Sequence, residues 1–153
     1  MRKDPDRVRA NTSPDILRRI DQEIEARVRF FATQPKGLIS ARIAELEREW
    51  DIERYIQINS SSLALTGVAL GATVSKKWLF LTAGVLGFLF QHATQGWCPP
   101  VPVMRRMGIR TRSEIEREKF ALKALRGDFQ TIQAPTDANQ LARAQDALRA
   151  AAV

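Results

Sequence analysis

Two uncharged stretches lie back to back near the middle of this 153-residue chain, Tyr55 to Ser75 and Trp78 to Met104, with only Lys76 and Lys77 between them. A charged side chain at a bilayer centre costs roughly 2.5–3.5 kcal/mol on insertion scales, so about 20 residues without one is the minimal mark of a spanning helix. The pair predicts a transmembrane helical hairpin, with spans at about 56–75 and 78–97. Trp78 and Trp97 bracket the second stretch as expected interface anchors, since they would stand about 28 Å apart on a continuous helix. The first stretch is weaker. Gln57, Asn59, Ser60, Ser61 and Ser62 fill its opening turns, and only Leu63 to Val74 is continuously lipophilic.

Charge placement supplies the expected orientation. Residues 1–54 carry 12 basic and 11 acidic groups, whereas residues 98–153 carry 10 basic and six acidic ones. Arg105, Arg106, Arg110 and Arg112 cluster after the second stretch, where they read as contacts to lipid headgroups. Under the positive-inside rule the basic flanks put both termini in the cytoplasm, as a multi-pass protein of a bacterial inner membrane. Met1 to Ala10 alternates basic and acidic residues, which excludes a cleaved signal peptide at this end. Nucleic acid is not expected as a partner, because the basic residues are interspersed with acid and no recognition motif is present.

The fold class read from the pattern is all-α: a two-helix hairpin with amphipathic helices on both flanks. Residues 1–12 read as a disordered start. Ser13-Pro14-Asp15 then opens a helix whose Leu17, Ile20, Ile24, Val28 and Phe31 form one apolar stripe. Gln34-Pro35-Lys36-Gly37 breaks it. A second stripe, Ile39, Ile43, Leu46 and Trp50, is expected to run unbroken into the first span, closing a cytoplasmic segment 13–54. The hairpin segment is 55–104, and its Cys98-Pro99-Pro100-Val101-Pro102 end must leave helical geometry. Residues 105–129 form a basic juxtamembrane segment and a helix opened by a capping box from Ser113 to Glu116 and ended near Gly127. Residues 130–153 read as a linker and a weak helix.

Gly67 and Gly71, repeated in spacing by Ala83 and Gly87, allow close helix approach, either within the hairpin or between two copies. His92 and Cys98 are the metal or thiol candidates, and two ligands are too few for a structural zinc site from one chain. No phosphate loop or nucleophilic triad is present, and no paired carboxylates lie inside the apolar region, so neither catalysis nor a cofactor is expected.

The run Gly96-Trp97-Cys98-Pro99-Pro100, with Gly108 shortly after it, resembles the YgaP-like inner-membrane domain, a two-helix bacterial family of unknown function. The resemblance covers about Glu53 to Ile109. It implies a membrane anchor that dimerises, and the family's association with rhodanese domains implies sulfur chemistry nearby, although this chain has no rhodanese-sized segment. The expected function is a non-enzymatic membrane anchor or self-associating scaffold, with the lipid bilayer, a second copy and an unidentified cytoplasmic protein as partners. A redox or sulfur-handling accessory using Cys98, and a soluble helical interaction module, are the alternatives.

Overall fold

A computed structural model describes residues 6–130 and 144–147, and among these every regular element is helical. The helices are α1 (Arg7–Ala10), α2 (Pro14–Ala32), α3 (Lys36–Arg48), α4 (Ile52–Thr73), α5 (Leu79–Gln95), α6 (Val101–Arg106) and α7 (Arg112–Arg126), with a short 3-10 turn at Lys76–Trp78. Residues 144–147 are also helical, and the expected linker lies outside the described residues. The chain divides into two compact units, one of Met1–Glu23 with Glu49–Ile115 and one of Ile24–Arg48 with Glu116–Val153.

In the first unit, α4 and α5 form an antiparallel hairpin. Its contact is set by small residues on α4. A Cβ on Gly67 would collide with Thr82, and one on Gly71 would sit 2.8 Å from Leu79 Cδ2. The Thr82 hydroxyl uses the space to donate to the Ala64 carbonyl at 3.1 Å. Gly67 and Gly71 therefore serve packing inside the hairpin, whereas Gly87 opens to empty space and Ala83 is exposed.

The hairpin is real, but the membrane reading is corrected: among the described residues no helix is long and apolar enough to cross a membrane. The physical reasons lie at the ends. The 17 residues of α5 rise only about 25 Å. Gly96 then takes a left-handed conformation and caps the helix, so Trp97 falls beyond it and cannot stand in helical register with Trp78, which ends the 3-10 turn. The 22-residue α4 opens with charged Glu53 and Arg54 and the polar turns after them, leaving about a dozen lipophilic positions. The expected spans, the inner-membrane location with cytoplasmic termini, and the roles of Trp78 and Trp97 as interface anchors are withdrawn on this ground.

The core of the first unit is assembled from distant segments: Val8, Ile52, Ile56, Cys98 and Val101 are buried together, with Leu89, Met104 and Ile109 against them. Val8 comes from the stretch read as disordered. Asp6 caps α1, and its carboxylate accepts from the Val8 and Arg9 amides at 3.0 and 3.1 Å. The continuous helix expected from Ser40 to Tyr55 is instead interrupted. Asp51 is the N-cap of α4 and accepts from the Arg54 amide at 2.9 Å, while the Ile52 amide leaves the helical ladder to donate to the Arg110 carbonyl. Of the prolines after Cys98, Pro99 and Pro100 lie outside the helices as expected, and Pro102 does not. Pro102 occupies the first turn of α6, where a missing donor costs nothing.

The second unit has its own buried residues, Ile24, Ile39, Ile43, Leu46 and Leu122. Glu118 is fully buried there and accepts from Arg27 Nε at 3.1 Å and from Arg42 Nε and Nη2 at 3.1 and 3.0 Å. Two arginines satisfy a carboxylate that could not otherwise leave water.

Candidate functional site

The hairpin's end is where chemistry-bearing residues converge, and the N-terminal segment finishes it. A helix leaves its last carbonyls without intrahelical donors. Arg7 Nη1 donates to the Ala93 and Thr94 carbonyls at 2.7 and 3.2 Å, and Asn11 Nδ2 donates to the Gln95 carbonyl at 2.9 Å. The end of α5 is thus capped by side chains from 84 to 87 residues earlier in the chain.

His92 sits just inside this end and is buried, and its Nε2 lies 2.7 Å from a carboxylate oxygen of Glu53. Glu53 accepts from Nε2–H, and the buried Nδ1 on the other side of the ring has no partner among the described residues. Cys98 is also buried. Burial pushes its thiol above the ordinary value, the charge of Glu53 adds to this, and the hydrogen bond from the Val101 amide opposes both. A raised thiol is a poor nucleophile and a poor soft-metal ligand, because both roles need the thiolate. Among the described residues no group of three His, Cys, Asp or Glu side chains could hold a metal ion. Glu53, the partner of His92, was not singled out from the sequence, where Ser40 to Tyr55 read as one continuous helix and the first turn of α4 went unseen.

The four arginines expected at lipid headgroups separate into two classes. Arg105 is 1% exposed and is held by Glu114 through Nη1 at 2.7 Å and Nη2 at 2.6 Å, with further bonds to Thr12 Oγ1 and the Ile109 carbonyl. Glu114 also accepts from Arg9 Nη1 at 2.6 Å and from the Thr111 amide at 2.8 Å. Arg110 is buried too and pairs with Glu49, its Nε 2.8 Å from Oε1. Arg105 and Arg110 are therefore interior ion-pair residues, and neither can reach a headgroup. Arg106 and Arg112 are exposed. The capping box is shifted as well: α7 starts at Arg112, so the Thr111–Glu114 bond replaces the expected Ser113–Glu116 pair. Ser113 instead donates to Asp6 Oδ2 at 2.5 Å.

That contact gives Asp6 a pH signature. Burial alone would raise its carboxyl, but hydrogen bonds from Ser113, Thr111 and the Arg9 and Val8 amides outweigh it and hold the pKa below 3.8. A depressed carboxylate contributes stability that is complete above its unfolded value and lost as pH falls through the folded one. Asp6→Ala is expected to cost about 1 kcal/mol at pH 7, the usual value of an N-cap. In urea titrations the gap between wild type and variant should close below about pH 4, and a gap constant from pH 7 to pH 2 would refute the assignment.

A cleft of about 320 Å³ completes the site, lying between α4, α5 and the chain from Cys98 to Met104. No family model, curated protein or solved structure matches the chain.

Proposed function

We propose that this protein is a non-catalytic helical interaction module that works as a homodimer, with the outer face of α5 as its association surface. The observation that carries the reading is a row of four exposed positions, Phe80, Ala83, Gly87 and Phe90, at spacings of three, four and three on one face of α5. Phe80 is 81% exposed and Phe90 72%. Leu65, Val68, Val74 and Leu86 extend the apolar surface of the hairpin, and with the two rings they expose at most roughly 800 Å² if each side chain is given the ~200 Å² of a fully exposed aromatic one. That exceeds the ~300–600 Å² patch of an ordinary monomer and matches the ~800 Å² each partner buries in a standard interface.

A second copy fits this surface better than an unrelated partner, for two reasons. No Asp, Glu, Lys or Arg occurs from Trp78 to Met104, so charge gives a foreign partner nothing to recognise. The row is also self-complementary. A two-fold axis through the midpoint of Ala83 and Gly87 runs the two helices antiparallel, brings small residues together at the crossing and sets rings at both ends.

Light scattering on the full chain in detergent-free buffer is expected to give twice the 17.3 kDa chain mass. Phe80→Glu should raise the dimer dissociation constant about 30-fold or more, as loss of a hot-spot aromatic does, with helix content unchanged. A wild-type monomer, a dimer indifferent to Phe80→Glu, or a monomer that floats with phosphatidylcholine vesicles would each overturn the reading.

A further inference from the structure

We infer that the cleft at the base of the hairpin is a binding site for a neutral, mostly hydrocarbon molecule that carries one hydroxyl or carbonyl group. Its volume of about 320 Å³ is roughly twice the 150 Å³ of an engineered dry cavity that takes benzene, and it falls within the range of small-molecule pockets. The walls come from one stripe of α4, Ile56, Asn59, Ser60 and Leu63, and one of α5, Val85, Phe88 and Leu89, with Cys98, Pro100 and Met104 closing the third side. The stripe from Ile56 to Leu63 spans seven helical rises, which gives the cleft a length of about 10 Å.

Burial gives the cleft a direction. Ile56 and Cys98 are each 2% exposed and form the floor, whereas Leu63 and Phe88 are about half exposed and form the rim. No lining side chain carries a charge, and the polar ones are Asn59 and Ser60 on α4 together with the thiol, which burial keeps protonated. An apolar chain therefore lies in the cleft against Ile56, Cys98 and the half-exposed Leu63, and Asn59 and Ser60 in the wall supply hydrogen-bond partners for its single polar group. A charged head would find no counter-ion in the walls, so an alcohol or ester is preferred to a carboxylate.

The inference is independent of dimer formation, because the cleft faces Ile56 and Cys98 whereas the proposed seam lies on Phe80 and Phe90. The full chain would be photolabelled with a diazirine-bearing decanol and the adducts mapped by mass spectrometry. Expected are saturable adducts at one per chain on Ile56, Leu89, Cys98 or Met104, suppressed by excess 1-decanol and at least tenfold less by decanoate. The same chain could also arrive on a neutral glyceride. Monodecanoylglycerol as competitor distinguishes that source from the free alcohol, and competition by neither refutes the site. Val85→Trp, which fills the cleft, should abolish saturable labelling while circular dichroism is retained. Asn59→Leu should weaken competition by 1-decanol about tenfold and leave decane unaffected. Unsaturable adducts, or adducts confined to Phe80, Leu86 and Phe90, would overturn the proposal even if either variant failed to fold.

Discussion

Replacing Glu114 by alanine is expected to remove about 3–5 kcal/mol of stability, the loss seen when one member of a buried ion pair is deleted. The size follows from what Glu114 leaves behind. Its carboxylate accepts four hydrogen bonds, two from Arg105 and one each from Arg9 and the Thr111 amide. Arg9 still has Asp21, at 3.1 Å from its Nη2, and can turn towards water because it is partly exposed. Arg105 has no such exit. It is 1% exposed and would keep only Thr12 Oγ1 and the Ile109 carbonyl as acceptors, so a cation would be stranded in the core. The double replacement Arg105→Met with Glu114→Leu removes both charges and keeps volume, and it should cost much less than Glu114→Ala alone. Urea denaturation of the three proteins measures the difference. If the double variant were as unstable as the single one, the loss would belong to packing and not to the uncompensated charge.

Gly96→Ala is expected to cost about 2–5 kcal/mol. Gly96 has φ +72°, where a Cβ carries a penalty of roughly 1–2 kcal/mol. A second penalty is added because the new methyl would run into Arg7, 2.7 Å from its carbonyl carbon and 2.8 Å from its carbonyl oxygen. Overpacking of that kind costs typically 1–3 kcal/mol, and here the obstacle is backbone, which cannot swing aside. Arg7 is also held in place, since its carbonyl accepts from Asn11 Nδ2 at 2.9 Å. Gly37→Ala is the control. A Cβ there meets nothing within 4 Å, its φ is ordinary, and the substitution should be neutral or stabilise by up to ~1 kcal/mol. Thermal melts of the two variants should therefore move in opposite directions or, at the least, differ by more than 1 kcal/mol.

What could be read from the chain was local. The stripes of α2 and α3 predicted the buried Ile20, Ile24, Ile39, Ile43 and Leu46, because helical periodicity is written in consecutive residues. Pro14 and Gly127 marked the start of α2 and the end of α7 for the same reason. The hairpin was legible from its lack of charge, but its setting was misjudged, since uncharged length was counted across Gly96 as though α5 continued through it. The arginines were misread by the opposite route. Nothing near Arg105 or Arg110 in sequence announces that Glu114, Arg9 or Glu49 will close over it, and a buried ion pair looks like a basic cluster until the partners are known. Asp51, with its helix-opening pattern, was an available signal for the break before α4. His92 was singled out, but its carboxylate partner lies 39 residues earlier.

The capping of α5 by the N-terminal segment also bears on the order of assembly. Asp6, Arg7 and Arg9 are made well before their partners Ser113, the end of α5 and Glu114, which lie between 86 and 107 positions later. Closing contacts across such spans is entropically costly and slow compared with forming a helix or a hairpin. During synthesis residues 6–11 must wait for their full set of partners until about a hundred further residues have emerged. The first unit is consequently finished by a segment made long before its partners, and the end of α5 stays frayed until that segment docks.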